Sequence, residues 1–471
     1  MKKILCLIAV VSLLFSCQDP ENEKDIVQEH EYKILSYTDN KTVSVTYSYP
    51  SIDENGNEIT LSSALVAWKP TDQDSVDEIK SVIIGCHITI TSNGDCPTSY
   101  LKSFVMGDAM LLFALPSQAD IPELRRSIVI MPDYQGYGVS KDRIHPYLSE
   151  ELTARQVTDA VKYGLQLYHD LENAQPFADD WKSICIGYSQ GGAAALSTHK
   201  YIEQHEMDEE LHFAGSFCAS GPYDLTSTLR YYFEDDGQSF GVQTKHRRMT
   251  SPEPLVIPLL IKGMIDTDPD MKGYSVSDYL SKQFLDTGIM DWIQEKEKTT
   301  GQIRAEFYNI CEKGHTAKDG TWYSPEQMQV LFPSHIMKQS LAGKDYEVTA
   351  DLTQMFTPET LRYLDPMLSD DEGSPENVRL VQELMLALIE NSPARAFGGW
   401  EVRHKIVFLH SKYDTTVPLS NYYEFINNHP EAETRFIPYG KDEHQLTGTK
   451  FLLSLTGTTF LEDFTWLFAE K

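Results

Sequence analysis

Runs of consecutive apolar residues recur through the first half of the chain, and segments with helical spacing separate them. Apolar runs that are bounded by glycine, proline or polar residues are typical of strands buried on both faces. Between two of them, Thr153–His169 places Val157, Val161 and Leu165 at helical intervals. Strands that alternate with helices predict a mostly parallel, doubly wound α/β sheet. The predicted strands are Val43–Tyr49, Ala64–Trp68, Ser81–Ile88, Ser127–Met131, the run from Ser183 to the turn at Gly187, and Phe213–Cys218.

The pattern changes after Asp224. From Leu225 to Trp400 there is little strand signal, but Ser-Pro-Glu and Thr-Pro-Glu tripeptides begin several predicted helices, because proline suits the first helical position. Strand patterns resume at Lys405–His410 and Thr434–Pro438. We therefore predict an α/β core in two parts, residues 42–224 and 401–471, interrupted by a large helical cap insertion over residues 225–400. Within the insertion, the apolar run Leu255–Ile261 suits either the lining of a ligand cavity or the core of the insertion itself.

The amino terminus has the pattern of an export signal. Lys2 and Lys3 precede the apolar run Ile4–Phe15, which is too short to cross a bilayer comfortably, and Cys17 follows it. We predict a signal peptide over residues 1–16, lipidation of Cys17 and a tether over residues 17–41; an ordinary secretory signal is the alternative. The glutamine after Cys17 favours the outer membrane, so the expected location is the cell envelope.

Charge and cysteine usage narrow the possible partners. The formal net charge is −30, and removal of the leader takes away two lysines and makes it −32. Such a chain repels phosphate backbones, so we exclude nucleic-acid binding. The cysteine spacing matches no zinc site or disulfide framework, although a Cys86–Cys96 bridge is compatible with an oxidising compartment. Oligomeric state is not predictable from these features.

The run from Ser183 to Leu196 has the strand–turn–helix pattern of a nucleophile elbow. Gly187-Tyr188-Ser189-Gln190-Gly191 follows an apolar strand and precedes a helix rich in small residues. Glycine at both ends of the pentad permits a sharp turn and close helix–strand packing. A serine hydroxyl is a weak nucleophile by itself, so an acid and a base must accompany Ser189.

Both partners follow in the order expected for this kind of site. Asp414 comes just after the strand Lys405–His410, and His444 comes after the strand Thr434–Pro438. The order nucleophile, acid, base is that of α/β hydrolases. We expect His444 to take the proton of Ser189 and Asp414 to fix the tautomer of the imidazole. Taken alone, Asp414 suits an Asx turn equally well and His444 suits a surface position; His410 suits packing at a strand end.

The core resembles the α/β-hydrolase superfamily and, more narrowly, the secretory lipase family of carboxylic-ester hydrolases. The motifs that carry the narrower resemblance are Asp133-Tyr134-Gln135-Gly136-Tyr137-Gly138, His145-Pro146-Tyr147-Leu148, Thr158-Asp159-Ala160-Val161 and Gly187–Gly192. The resemblance implies an acyl-serine mechanism without a metal or organic cofactor, and a helical cap over an acyl pocket. The long insertion matches no motif of that family.

The resemblance also implies where a tetrahedral oxyanion is bound. The backbone N–H of Gln190 is one expected donor, and a second is expected from the segment containing His87 and Ile88. Many relatives have His-Gly at this point, whereas this chain has His87-Ile88-Thr89. Loss of one such donor costs about 3–4 kcal/mol of transition-state stabilisation, so this departure bears directly on activity.

The sequence therefore predicts a lipid-anchored serine hydrolase that cleaves carboxylic esters, with a small-molecule or lipid ester as its substrate. Two alternatives stay open. A serine peptidase of the prolyl-oligopeptidase type shares the elbow and the triad, although no propeller repeats precede the core. A surface lipoprotein that binds a glycan or lipid without catalysis is the other alternative.

Overall fold

The computed structural model describes residues 31–40, 42–70, 76–100, 121–233, 249–340, 343–364, 375–395, 398–455 and 457–469. Residues 1–16 and Cys17 lie outside this part of the chain, so the predicted leader and lipidation site stay predictions. Among the described residues, no helix has the length and apolar character needed to span a bilayer. The strands are β1 Lys33–Asp39, β2 Thr42–Ile52, β3 Glu58–Trp68, β4 Ile79–Cys86, β5 Ser127–Pro132, β6 Phe177–Tyr188, β7 Phe213–Ala219, β8 Thr250–Ser251, β9 His315–Thr316, β10 Trp322–Tyr323, β11 Ser334–Ser340, β12 Gly343–Asp351, β13 Lys405–His410 and β14 Thr434–Pro438.

Nine of these strands form one sheet, in the order β1-β2-β3-β5-β4-β6-β7-β13-β14. The first four strands in that order pair antiparallel, and the pairings from β5 to β14 are all parallel. The mostly parallel sheet predicted from the apolar runs is thus confirmed. β1 lies within the segment that we assigned to the tether, so that assignment is wrong for residues 33–39, which pair with β2 instead.

Helices cover both faces of this sheet. Successive residues of a buried strand point to opposite faces, and β6 shows the consequence: Cys185 packs with the helices on one side, and Ile184 and Ile186 pack with those on the other. This explains why the central strands read as continuous apolar runs rather than alternating ones. The helices that flank the sheet are α1 Pro97–Tyr100, α2 Pro122–Arg125, α3 Glu150–Asp170, α4 Gln190–Gln204, α15 Ser420–Asn428, α16 His444–Ser454 and α17 Leu461–Phe468.

The segment between β7 and β13 has a hydrophobic cluster of its own. It is not wholly helical, contrary to our prediction: β11 and β12 form an antiparallel pair that β8 extends, and β9 pairs with β10. The β11 sequence is mostly polar and its side chains are largely exposed, so it lacks the apolar run by which the core strands were recognised. The helices here are α5 Leu225–Phe233, α6 Val256–Thr267, α7 Val276–Tyr279, α8 Lys282–Leu285, α9 Ile289–Glu295, α10 Thr300–Lys313, α11 Pro325–Leu331, α12 Leu352–Met355, α13 Pro358–Leu364 and α14 Pro375–Glu390.

The parallel strands bring the predicted site residues to one edge of the sheet. Ser189 directly follows β6, Asp414 follows β13, and His444 follows β14. Because β6, β7, β13 and β14 run parallel, their carboxyl ends share an edge, and the loops after them meet there. Ligand sites of open α/β sheets lie at this edge.

Candidate active site

Ser189 occupies a strained turn between β6 and α4. Its backbone lies at φ 58° and ψ −124°, a conformation that side-chain-bearing residues rarely adopt. The turn requires glycine on both sides: a Cβ on Gly187 would lie 2.2 Å from the carbonyl oxygen of Gly191, and one on Gly191 would lie 2.1 Å from that of Cys86. Ser189 therefore stands at the amino-terminal end of α4, where the helix dipole favours negative charge.

The three residues predicted from the sequence form one chain of hydrogen bonds. His444 Nε2 lies 2.7 Å from Ser189 Oγ, and His444 Nδ1 lies 2.6 Å from Asp414 Oδ2. With the Nδ1 proton donated to Asp414, Nε2 is free to accept the proton of the serine hydroxyl. Asp414 is buried, and His444 is 8% exposed. The structure thus brings together the residues that we expected to act as nucleophile, base and acid.

The loop after β13 fixes the orientation of Asp414. Asp414 Oδ1 accepts hydrogen bonds from the backbone N–H of Thr416 at 3.0 Å and of Val417 at 2.8 Å. The Asx turn and the contact to His444 are therefore both present, each on its own carboxylate oxygen. Nearby, His410 Nε2 lies 2.7 Å from the carbonyl oxygen of Val417. Burial lowers the pKa of His410, which keeps its ring neutral in a packing position at the end of β13.

Tyr188, the residue before Ser189, contacts His444 through both its hydroxyl group and its ring. This contact was not among those predicted from the sequence. The Tyr188 hydroxyl donates to the carbonyl oxygen of His444 at 2.6 Å, and the centres of the two rings are 5.1 Å apart. Gly448, one turn later in α16, admits the tyrosine ring, since a Cβ there would lie 2.6 Å from it. The variable position of the pentad thus anchors the start of α16.

The three residues predicted to contribute to the oxyanion site lie in different environments. Gln190 begins α4 beside Ser189, and Ile88 lines the cavity above the serine together with Thr89. His87 does not line that cavity: its ring stacks on Tyr134, and its two nitrogens contact the carbonyl oxygens of Ile88 and Asp133. Burial lowers the pKa of His87 to about 4.

The side chain of Gln190 contacts one of the motifs that carried the family resemblance. Gln190 Nε2 lies 3.3 Å from His145 Nε2, and His145 Nδ1 lies 2.9 Å from the carbonyl oxygen of Gln135. Burial lowers the pKa of His145 to about 3, so the ring is neutral and accepts from Gln190 while donating to Gln135. This arrangement gives the His145-Pro146-Tyr147-Leu148 motif a physical role beside the elbow.

A cavity of about 280 Å³ opens above Ser189 and His444. Its wall is mostly apolar, and the segment after Asp224 supplies a large part of it. From Leu255–Ile261, the side chains of Leu255, Val256, Ile257 and Leu260 line the cavity. These four, together with Leu259 and Ile261, also belong to the hydrophobic cluster of the insertion or pack against it. The run thus contributes both to the wall of this cavity and to the core of the insertion.

A second group of titratable residues lies away from this cavity. His199, Glu203 and His404 place ligand-type atoms within 4.8 Å of one another. Glu203 Oε1, however, already accepts the backbone N–H groups of Arg403 and His404 at 2.9 and 2.8 Å. These bonds join the end of α4 to the approach to β13, which accounts for the cluster in structural terms. The five described cysteines are free thiols, so the Cys86–Cys96 bridge is not formed.

Comparison with known proteins identifies the fold. A point mutant of the rice cell wall degrading esterase LipA from Xanthomonas oryzae superposes with a TM-score of 0.61 at 18% identity, covering 90% of this chain and 92% of that one. A hydrolase described as putative, from Legionella pneumophila, gives 0.58 at 15% identity, with 91% of each chain covered. Candida antarctica lipase A in its closed state gives 0.53 at 13% identity, covering 96% of this chain and 86% of that one.

The chain has the α/β-hydrolase fold. The fold class predicted from the sequence, with its mostly parallel sheet, is thus confirmed. No protein-family model matches this chain, and neither does any curated sequence.

Proposed function

We propose that this α/β-hydrolase-fold protein is a serine hydrolase that cleaves carboxylic esters through an acyl-serine intermediate. The observation that carries the proposal is the hydrogen-bonded chain Ser189–His444–Asp414 at the floor of a mostly apolar cavity. The similarity in fold between this protein and proteins named as esterase, hydrolase and lipase supports the same class of reaction.

In this mechanism His444 Nε2 takes the proton of Ser189 as Oγ attacks the ester carbonyl. The negative charge on the carbonyl oxygen is stabilised by the backbone N–H of Gln190 and by a second donor from the segment around Ile88. His444 then protonates the leaving alkoxide. Water, activated by the same histidine, attacks the acyl-enzyme, releases the carboxylic acid and restores Ser189. Asp414 holds the imidazole and stabilises its charged form in both half-reactions.

Hydrolysis of p-nitrophenyl esters from acetyl to palmitoyl tests this proposal. We expect Ser189→Ala to lower kcat by about 10⁶ without unfolding the protein, as in other serine hydrolases. A fluorophosphonate probe, which labels only an activated serine, should label the wild-type chain and leave the variant unlabelled. Substantial ester hydrolysis by Ser189→Ala would overturn the assignment. Labelling without hydrolysis of any ester would favour a peptidase.

We also propose that the protein is an exported cell-envelope lipoprotein, anchored through a lipid on Cys17. The support is the order of basic, apolar and cysteine residues at the amino terminus. Incorporation of labelled fatty acid into the wild-type chain but not into Cys17→Ser is the expected result. Export of both without labelling would indicate an ordinary secretory signal.

A further inference from the structure

One ion pair interrupts the apolar wall of the cavity above Ser189. Glu253, in the loop after β8, and Arg304, in α10, both line this cavity, and Arg304 Nε donates to Glu253 Oε2 at 2.9 Å. Glu253 is 7% exposed. Gln445, the residue after His444, also donates to Glu253 Oε2, at 3.1 Å. The pair is thus connected directly to the helix that begins with His444.

This pair has unused hydrogen-bonding capacity. Glu253 Oε1 is enclosed and has no donor among the described residues. Among the described residues, Arg304 likewise has donors to spare. Of its five N–H groups, only the one on Nε makes a hydrogen bond to the protein, and its partner is Glu253. Burial of a charged pair is costly unless its remaining donors and acceptors are satisfied. A ligand in the cavity is therefore expected to supply the missing partners.

The chemistry of the pair selects the kind of group. A hydroxyl group both donates and accepts, so it can bond to Glu253 and Arg304 at once. A carboxylate on the substrate would be repelled by Glu253, and an ammonium group would be repelled by Arg304. Since the charges of the pair cancel, a neutral polar group is favoured over an ion of either sign.

Building on the proposed ester hydrolysis, we propose that Glu253 and Arg304 form a subsite for a hydroxyl group of a neutral ester substrate. The substrate class is then hydroxylated esters, in which the hydroxyl lies on the alcohol part or on the acyl part. Simple alkyl esters would contact the apolar wall of the cavity but would offer no hydroxyl group to Glu253 and Arg304.

Two matched substrate pairs test the subsite and locate the hydroxyl. One pair is 1-monobutyrin and propyl butyrate, which differ in the alcohol part; the other is methyl 3-hydroxybutyrate and methyl butyrate, which differ in the acyl part. For the full chain in detergent, we expect kcat/KM to favour the hydroxylated member of at least one pair by about tenfold or more, because a polar site rejects an analogue that leaves it unpaired. The measured quantity is the ratio of the two kcat/KM values within each pair, because a general loss of activity lowers both values equally and leaves their ratio unchanged.

The main variant replaces both charges, because removal of one would leave the other buried without a partner. In Glu253→Leu/Arg304→Met we expect the ratio to fall to about one. The matched control is Lys298→Met/Glu306→Gln, which removes a more exposed ion pair. Lys298 lies just before α10 and Glu306 within it, and Lys298 Nζ is 2.7 Å from Glu306 Oε1. It should keep the wild-type ratio.

Three results would overturn the subsite: a ratio near one in the wild-type chain for both pairs, an unchanged ratio in the double variant, or a preference for monomethyl succinate over methyl butyrate. If the wild-type chain hydrolyses none of these esters, ester hydrolysis itself fails. Calorimetric titration of 1-monobutyrin and methyl 3-hydroxybutyrate into the Ser189→Ala protein then decides the subsite alone. Binding of either that is lost on adding Glu253→Leu/Arg304→Met supports it, and no binding of either overturns it.

Discussion

Asp414 divides its two carboxylate oxygens between the loop and the histidine, and this division predicts the effect of an amide. In Asp414→Asn, the oxygen can still accept from the N–H groups of Thr416 and Val417, whereas the NH₂ group would face His444 Nδ1. The ring then takes the wrong tautomer. We expect kcat for p-nitrophenyl butyrate to fall by about 10⁴, the loss known for this change in serine proteases, with little change in stability.

The control for this experiment is Asp442→Asn, in the loop just before His444. Its carboxylate pairs with Lys450 near the surface. Ser411 donates to the backbone carbonyl of Asp442, not to its carboxylate, so the substitution leaves that contact in place. We expect its kcat to stay close to that of the wild-type chain. Equal losses in the two variants would show that general loop disturbance, rather than the tautomer of His444, causes the effect.

Tyr188 allows a test of how firmly the base is held. Tyr188→Phe keeps the ring against His444 but removes the hydroxyl that donates to its carbonyl oxygen at 2.6 Å. The carbonyl of His444 also belongs to the first turn of α16, so the variant loses one hydrogen bond without leaving an unsatisfied acceptor. A net hydrogen bond contributes about 0.5–1.5 kcal/mol, so the free energy of unfolding should fall by that order. We also expect kcat to fall several-fold while KM changes little. Tyr423→Phe, at an exposed position, is the control; an equal response in both variants would contradict the positioning role.

At the scale of elements, the elbow depends on space that only glycine leaves. In Gly191→Ala the new Cβ would lie 2.1 Å from the carbonyl oxygen of Cys86 on β4, where backbone cannot yield. We expect this variant to lose most of its stability or to be insoluble, as measured by thermal unfolding. The matched control is Gly301→Ala in α10, where the nearest atom lies 3.9 Å away; it should be neutral or stabilising by up to about 1 kcal/mol. A soluble, stable Gly191→Ala protein would contradict the packing argument.

The elements differ in how far the sequence predicts them, and the reason is burial. The buried parts of the central strands are predicted, and the fully buried β13 matches its predicted bounds, because burial on both faces favours a continuous apolar run. β3 and β6 each begin six residues before their predicted starts. β14 also matches its predicted bounds, although it is only partly buried. The largely exposed, mostly polar β11 and the partly buried β1 have no such run and escape prediction. Pairing with β12 and β2 determines their structure, and a single sequence does not show pairing partners.

The site follows the same rule. Ser189, Asp414 and His444 are predictable because the fold fixes their order and each follows a recognisable strand. The contacts of Tyr188 and Glu253 are not, since each joins segments far apart in the chain through one side chain. Prediction from motifs therefore reaches the reacting groups but not the residues that orient them or line the cavity.

For the whole molecule, buried histidines predict a loss of stability on acidification. Burial lowers the pKa of His145 to about 3 and of His87 to about 4, below the ordinary value of 6.5. Below pH 6.5 the unfolded chain therefore binds protons at these two sites that the folded chain refuses, and folding loses stability. Each such proton contributes a slope of about 1.4 kcal/mol per pH unit. Asp133, whose pKa burial raises to about 6, acts in the opposite direction between its ordinary pKa of 3.8 and pH 6.

Comparison of a His145 variant with the wild-type chain isolates the contribution of this histidine, because Asp133 is present in both proteins. The free energy of unfolding in urea, measured from pH 7 to pH 4.5, should fall less steeply for His145→Gln than for the wild-type chain, by a slope equivalent to about one proton. His169→Gln, whose side chain is 86% exposed, should keep the wild-type slope. An unchanged slope in His145→Gln would mean that His145 titrates in the folded protein. The neutral ring that accepts from Gln190 would then be charged at acidic pH, and the contact beside the elbow would be lost there.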